Sequence, residues 1–174
     1  MADPDDNAVP TGEVGEILVR GAVVMRGYWN RPDASAESLR GGWLHTGDIG
    51  VMDADGYLDI TDRLKDMYIN GGFNVYPAEV EQLMLDHPGI AQVAVVGVPD
   101  DRMGEVGAAF VVGGPDTGAE GRPEPSEIMS WCRETMANYK VPRLVVVVDD
   151  LPMNASGKVL KFELRDRATA LRAT

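Results

Sequence analysis

The sequence predicts an α+β fold, in which a short β-rich subdomain precedes a small domain with a central sheet and helices. Short, β-branched or alternating segments fill the first third of the chain, and continuous apolar segments interspersed with helical spacing fill the rest. Hydrophobic residues make up 44% of the 174 residues, which is enough for a buried core and excludes global disorder. Because the pattern changes at Asp62–Lys65, we expect two domains, at residues 1–63 and 64–174.

The first domain is predicted to consist of strands and loops. Residues 1–12 form a loose acidic segment, and Gly15–Gly21 alternates as a strand does. A polar loop follows, with a short helix expected from Pro32 to Leu39. Gly41–Arg63 is predicted to hold two short strands joined by a turn at residues 53–56. About sixty residues of this kind barely close a core alone.

The second domain is predicted to have an approximately three-stranded sheet flanked by helices. A hairpin turning at Gly71 and Gly72 comes first. The predicted strands are Ile90–Val98, Gly107–Val112 and a third that begins at Leu144. The predicted helices begin near Pro77, Ser126 and Lys158, and a surface loop is expected at residues 113–125.

Charge and composition argue against several functional classes. The chain has 16 Lys and Arg against 28 Asp and Glu, a net charge of −12, which argues against binding nucleic acid or an anionic membrane. A phosphate ligand is still compatible, because one local cation outweighs the global field at short range. The single cysteine, Cys132, excludes an internal disulfide, and His45 and His87 lack ligand spacing, so no metal site is predicted. The polar N-terminus is unlike a signal peptide, and we expect a cytoplasmic chain.

Four segments occur in a fixed order, although each is weak evidence by itself. They are Gly15–Pro32, Trp43–Asp48, Asp62–Glu81 and Leu151–Lys158. As a set, they resemble the C-terminal third of the acyl-adenylate-forming (AMP-binding) enzymes, which include acyl-CoA synthetases, firefly-type luciferases and peptide-synthetase adenylation domains. The resemblance runs from about Gly12 to Arg165. The form GGFNVYPAEVE is similar to the acyl-CoA ligase branch, and its surroundings resemble bacterial ligases for fatty or steroid-derived acids.

The resemblance implies a reaction in two steps. A carboxylic acid and ATP give an acyl-adenylate and pyrophosphate, and the thiol of coenzyme A then displaces AMP. By this resemblance, residues 1–63 are the β-rich tail of the family's large nucleotide-binding domain, and residues 64–174 are its small mobile C-terminal domain. The small domain swings about a hinge between the steps. The family's phosphate loop, its Mg²⁺-binding motif and its acyl pocket lie in a large domain that these 174 residues lack. We therefore expect this chain alone to be inactive.

Family matches assign roles to residues of the first domain and the hinge. Asp48 corresponds to the carboxylate that accepts hydrogen bonds from the ribose hydroxyls, the alternative being a turn-capping Asp. Arg63 corresponds to the arginine that helps to hold the nucleotide, the alternative being a structural ion pair. Ile60 forms an apolar wall beside the nucleotide or belongs to a core. Lys65 corresponds to the hinge, or is an exposed lysine at a strand end.

Further matches lie in the second domain. Lys158 corresponds to the catalytic lysine of adenylation, which bridges the substrate carboxylate and the α-phosphate. A lysine acetyltransferase acting on Lys158 would then switch the enzyme off. Gly71 and Gly72 match the loop that lines the pantetheine tunnel, unless they only form a hairpin turn, and Phe73 departs from the family's frequent Glu. Lys140 is a candidate contact for a CoA phosphate.

Other polar residues have simpler interpretations. Glu79 and Glu81 are read as helix-start charges, Cys132 as a core residue, and His45 has no identifiable partner. Two alternative functions remain: the chain is one half of a split ligase that acts in trans, or it is a non-catalytic binding module. The sequence indicates no oligomeric state.

Overall fold

The computed structural model of the protein describes residues 1–114 and 124–172. The chain forms two units, Met1–Lys65 and Asp66–Thr174. The boundary between them lies two residues beyond the predicted boundary at position 63. The predicted α+β class is confirmed, since both units contain antiparallel sheets and helices. Most of the predicted surface loop at 113–125 lies outside the described residues.

The first unit is a three-stranded antiparallel sheet with one short helix. Its strands, in the spatial order β1-β2-β3, are β1 (Val14–Val19), β2 (Leu44–Met52) and β3 (Leu58–Arg63). Helix α1 (Pro32–Ser38) begins with a proline, whose fixed φ suits a first helical position, and a 3-10 turn (Arg40–Gly42) follows. The predicted turn between β2 and β3 is closed by the Asp53 carboxylate, which accepts hydrogen bonds from the amides of Asp55 and Tyr57.

A β-bulge interrupts the pairing of β1 with β2. Glu16 pairs with Ile49 and Leu18 pairs with His45, so three residues of β2 (46–48) lie opposite a single residue of β1. A bulge bends its strand and re-aims the side chains that it carries, and bulges are common next to functional sites. Residues 46–48 are therefore displaced from the regular ladder.

The second unit is built on a five-stranded sheet. The strands are β4 (Tyr68–Asn70), β5 (Phe73–Val75), β6 (Ile90–Asp100), β7 (Gly104–Gly113) and β8 (Leu144–Val148). Their path is β5-β4-β7-β6, and β8 pairs with β7 in parallel. The predicted sheet of about three strands was too small, because the β4–β5 hairpin joins it through the pair of Asn70 with Gly104.

Helices cover the sheet of the second unit. They are α2 (Pro77–Leu85), α3 (Pro125–Thr135) and α4 (Lys161–Arg172). Helix α4 begins three residues later than predicted, because Met153 and Val159 still form a β-bridge. In the described part of the chain, no helix is both long enough and apolar enough to cross a bilayer.

Two apolar clusters in this unit explain why β6 and β7 read as continuous hydrophobic runs. Val95 packs in one cluster, which includes the buried Cys132 of α3, and its neighbour Val96 packs in another, with Phe110 and Leu164. Adjacent strand residues point to opposite faces, so a strand covered on both faces has no polar alternation. The core position predicted for Cys132 is confirmed, and burial raises the pKa of its thiol to about 11.

Side chains from two helices satisfy polar groups of β6. The amide of Val95 donates to Glu81 Oε1 of α2 at 2.7 Å, and the guanidinium of Arg172 of α4 donates to the Pro99 carbonyl at 2.9 Å. Lys161 of α4 also forms an ion pair with Glu81, at 2.8 Å. Glu81 therefore links α2, α4 and β6, which is more than a helix-start charge does.

Candidate functional site

Asp48 and Arg63 lie opposite each other on β2 and β3 and form an ion pair. Arg63 Nε lies 2.7 Å from Asp48 Oδ1, and the Asp48 amide donates to Thr46 Oγ1 at 3.1 Å. About half of the Arg63 side chain and a quarter of the Asp48 side chain are exposed. The pair thus presents a carboxylate, which accepts hydrogen bonds from hydroxyls, beside a guanidinium, which binds phosphate.

The bulge that carries Asp48 is held by a neighbouring carboxylate. Glu16 Oε1 accepts a hydrogen bond from the Gly47 amide at 2.9 Å, and Glu16 Oε2 lies 2.8 Å from His45 Nδ1. Gly47 has a φ of 71°, in the left-handed region that favours glycine. On the other strand, the Ile17 carbonyl accepts from the Thr46 hydroxyl at 2.8 Å. These contacts fix the three residues immediately before Asp48.

Ile60 and Lys65 lie at the end of the first unit. Ile60 is on β3 opposite Gly50, and 66% of its surface is exposed, so it does not belong to a core of this unit. Lys65 is exposed in a 3-10 turn (Leu64–Asp66) that follows β3 directly. The apolar wall and the hinge remain predictions for these two positions.

Lys158 projects from a loop that is closed by one asparagine side chain. Asn154 Oδ1 accepts hydrogen bonds from the Ser156 amide (3.0 Å), the Ser156 hydroxyl (2.8 Å) and the Lys158 amide (2.9 Å). Gly157 takes a φ of 78° at the tip, and the Asn154 amide donates back to the Lys158 carbonyl. Lys158 itself is exposed and has no ion-pair partner among residues 1–114 and 124–172. The loop backbone is ordered, and the ammonium group is available.

Gly71 and Gly72 form the turn of the β4–β5 hairpin. Their φ values are 60° and 88°, and Asn70 pairs with Phe73 across the two-residue loop. Positive φ at both central positions is typical of type I′ hairpin turns, which favour glycine. The Gly71 amide also donates to the Met103 carbonyl at 2.9 Å. The turn by itself accounts for both glycines, and their role in a pantetheine tunnel remains a prediction.

Lys140 and Phe73 lie in one aromatic and charged cluster with Tyr139. Phe73 is 58% exposed and stacks on Tyr139, with ring centroids 4.8 Å apart. Lys140 forms an ion pair with Glu79 and lies 5.6 Å from the Tyr139 ring centre. Burial alone would lower the pKa of Lys140, but the Glu79 carboxylate outweighs it and raises the pKa. Its charge is therefore already paired, which weakens the case for a CoA contact.

The structure brings some of the predicted site residues together and leaves others apart. Asp48 and Arg63 are in contact within the first unit, whereas Lys158 and the glycine hairpin are on separate loops of the second unit. Sequence reasoning missed the role of Asn154 and that of Glu16, which is the partner of His45. Among residues 1–114 and 124–172, no group of three or more His, Cys, Asp or Glu side chains is arranged to hold a metal ion.

A comparison with family models identifies the second unit. Residues 79–158 match the model described as AMP-binding enzyme C-terminal domain, and this stretch ends on Lys158. Residues 79–158 therefore belong to the family of AMP-binding enzyme C-terminal domains. Similarity to curated relatives extends beyond this stretch and covers 96% of the chain in one case and 91% in another.

Curated relatives are acyl-CoA ligases. The chain is 52% identical over 167 residues to the feruloyl-CoA synthase of an Amycolatopsis species, covering 96% of the chain and 33% of that protein. It is 56% identical over 160 residues to a 3-[(3aS,4S,7aS)-7a-methyl-1,5-dioxo-octahydro-1H-inden-4-yl]propanoyl:CoA ligase of Rhodococcus jostii, covering 91% of the chain and 30% of that protein.

A solved structure agrees with the sequence relatives. ATP-bound MatB from Rhodopseudomonas palustris matches with a TM-score of 0.88 and 37% identity, covering 98% of the chain and 33% of MatB. The chain therefore spans about a third of the length of these relatives.

Proposed function

We propose that the chain is the C-terminal part of an AMP-forming acyl-CoA ligase and supplies the lysine that drives adenylation. In the first step, an oxygen of the substrate carboxylate attacks the α-phosphorus of ATP, and the bond to pyrophosphate breaks. In the second step, the CoA thiol attacks the acyl carbonyl and AMP leaves. The chain's own residues contribute charge and position to these steps.

The observation that carries the proposal is the presentation of Lys158. Two anions, the carboxylate and the triphosphate, must approach each other during adenylation, and negative charge then builds up on the pentavalent phosphorus. A cation fixed in place beforehand stabilises that charge in a water-poor site. Two features of Lys158 support this role: its loop is closed by Asn154, and its side chain has no ion-pair partner in the described residues.

Asp48 and Arg63 support binding of the nucleotide in this proposal. The Asp48 carboxylate accepts hydrogen bonds from the ribose hydroxyls, and charged acceptors make the stronger bonds. Arg63 donates to phosphate or to the ribose and exchanges part of its contact with Asp48, which lies 2.7 Å away. Ile60, two-thirds exposed on the same strand as Arg63, would form an apolar wall beside the nucleotide.

Thioester formation would use a different surface of the second unit. We assign the hinge to Lys65, in the short turn at the end of the first unit. The turn at Gly71 and Gly72 has no side chains. Nothing lies within 4 Å of a Cβ added at Gly72, whereas Met103 Cε lies 2.6 Å from a Cβ added at Gly71. The pantetheine arm would therefore pass close to the backbone at Gly72.

Regulation by acetylation follows from the same loop. Lys158 is exposed and preceded by Ser156 and Gly157, so a lysine acetyltransferase meets little steric hindrance. Acetylation removes the positive charge that adenylation needs. The enzyme would be switched off with its fold unchanged.

The test is a complementation experiment. The residues that precede the matched region in the Amycolatopsis feruloyl-CoA synthase are expressed by themselves and also fused to the N-terminus of this chain. We call the fusion the composite ligase. Pyrophosphate release and thioester formation are measured with ferulate, fatty acids and polycyclic propanoates, for this chain alone, for the two parts mixed, and for the composite ligase.

Each outcome decides between the candidate functions. Thioester formation by the composite ligase, and none by this chain alone, is the expected result. Activity in the simple mixture would show that the chain acts in trans, as half of a split ligase. A folded composite ligase without pyrophosphate release would contradict the proposal and favour a non-catalytic binding module.

A further inference from the structure

Glu16 is a charged side chain in a buried position. Its exposed fraction is only 7%, and a buried carboxylate is costly unless it is paired and hydrogen-bonded. It lies on β1, outside all of the positions to which a role in the reaction has been assigned. Its partners therefore indicate what it does.

The carboxylate binds the residue before the bulge in β2 and the residue at the centre of the bulge. Oε1 accepts from the amide of Gly47, and Oε2 accepts from Nδ1 of His45, two residues earlier. An ionised carboxylate has no proton to donate, so the imidazole must be the donor. Arg40 adds a weaker ion pair, 3.6 Å from Oε2. The side chain of His45 is only 5% exposed, so the contact is shielded from water.

The bulge needs such a partner. Residues 46–48 lie opposite a single residue of β1, so the regular ladder is interrupted there, and the amide of the half-buried Gly47 donates to the Glu16 side chain. An amide that is shielded from water and lacks an acceptor is destabilising. Glu16 supplies the acceptor from a side chain, and the next residue after Gly47 is Asp48.

We propose that Glu16 is a positioning residue for Asp48: it clamps the bulge between His45 and Gly47 so that the Asp48 carboxylate stays aimed at the ribose. This inference rests on the ribose-binding role proposed for Asp48. The geometry is local, because Glu16, His45, Gly47 and Asp48 all belong to the first unit. Glu16 touches no reacting atom and acts through the backbone of the bulge.

The test removes the charge of Glu16 with a variant and, separately, the ribose hydroxyls of ATP with an analogue. In the composite ligase, Glu16→Gln is compared with the wild type and with Glu13→Gln, a matched change at an exposed glutamate three residues earlier. Adenylation is measured with ATP and with 2′,3′-dideoxy-ATP, which lacks both ribose hydroxyls. Gln still accepts from Gly47, but its amide group faces the His45 donor, so the clamp is weakened without deletion of the side chain.

A positioning role predicts a selective loss. Glu16→Gln should raise KM for ATP by about threefold to tenfold with little change in kcat, the usual scale for the net contribution of one hydrogen bond. With dideoxy-ATP, the variant should match the wild type, because the contact that Glu16 positions is already gone. Asp48→Ala should show the same pattern more strongly. Equal losses with both nucleotides, or equal effects of Glu16→Gln and Glu13→Gln, would overturn the inference.

A second readout needs only this chain. The amide proton of Gly47 should resonate downfield and exchange slowly in the wild type, because it binds a buried carboxylate, and Glu16→Gln should shift it. A Gly47 amide that is unchanged in the variant would refute the clamp even if the composite ligase is inactive. If the clamp is present and the wild-type composite ligase forms no adenylate, the proposed function fails instead.

Discussion

Replacing Asn154 by alanine should loosen the loop that presents Lys158. The Asn154 side-chain oxygen accepts three hydrogen bonds, two from Ser156 and one from the Lys158 amide. Alanine removes all three and leaves the backbone bond from the Asn154 amide to the Lys158 carbonyl. The ammonium group would remain, but the loop would sample other conformations.

The size of the effect follows from these bonds. A typical hydrogen bond contributes about 0.5–1.5 kcal/mol net, and the loop is exposed, so water replaces part of the loss. We therefore expect the ordered loop to lose about 1–2 kcal/mol, which lowers the ratio of ordered to disordered loop by about fivefold to thirtyfold. Adenylation should fall measurably, and by no more than that factor.

The assay separates the half-reactions of the composite ligase. Pyrophosphate release reports adenylation, and thioester formation from supplied acyl-adenylate reports the second step, which should be nearly unaffected by Asn154→Ala. Ser156→Ala is the matched control, because it removes one of the three bonds and should cost less. Unchanged pyrophosphate release, or an equal loss in both half-reactions, would refute the reasoning.

Three further predictions concern the hinge, a surface ion pair and acetylation. Lys65→Pro should stiffen the turn after β3 and slow thioester formation from supplied acyl-adenylate while sparing pyrophosphate release. The hydrogen bond from Arg172 holds the pKa of Asp100 at about 2, below its ordinary 3.8. Asp100→Asn should therefore lower the urea midpoint of this chain at pH 6, where the wild-type carboxylate is ionised, and the difference should shrink as the pH falls through about 2. Incubation of the composite ligase with a lysine acetyltransferase and acetyl-CoA should acetylate Lys158, as detected by mass spectrometry, and should abolish pyrophosphate release. An unmodified Lys158 would count against that regulation.

The sequence predicted the fold class because burial patterns are strong in the second unit. β6 and β7 are covered on both faces, so their continuous apolar runs stand out. The size of the sheet was harder to predict. β4 and β5 have three residues each, and a single pair, Asn70 with Gly104, joins them to a strand that lies more than thirty positions away. Local patterns contain no information on such a pairing.

Long-range ion pairs were hidden for the same reason. Glu79 and Glu81 have the spacing of helix-start charges, yet their partners are Lys140 and Lys161, far along the chain. His45 had no visible partner, because its contact with Glu16 depends on the register of β1 against β2 and on the bulge. The register of β1 against β2 would have revealed the contact of His45 with Glu16, but a bulge shifts the register without changing the hydrophobic pattern.

Candidate site residues were predicted from ordered motifs, whereas their supporting contacts came from the structure. The motif around Asp48 gave no indication that Arg63 pairs with it across two strands. The small residues before Lys158 indicated a turn, but only the structure shows that the Asn154 side chain closes it. Motifs mark the groups that meet a ligand, and the supporting shell depends on tertiary geometry.

The most direct test of the account is to replace Lys158 by alanine in the composite ligase and to measure both half-reactions. Adenylation should fall by about 10²–10³-fold, the usual scale for loss of one preplaced electrostatic stabiliser. Thioester formation from supplied acyl-adenylate should stay within about twofold of the wild type, because Lys158 then has no charge to stabilise. Equal losses in both half-reactions, or unimpaired pyrophosphate release, would contradict the claim that this lysine drives adenylation.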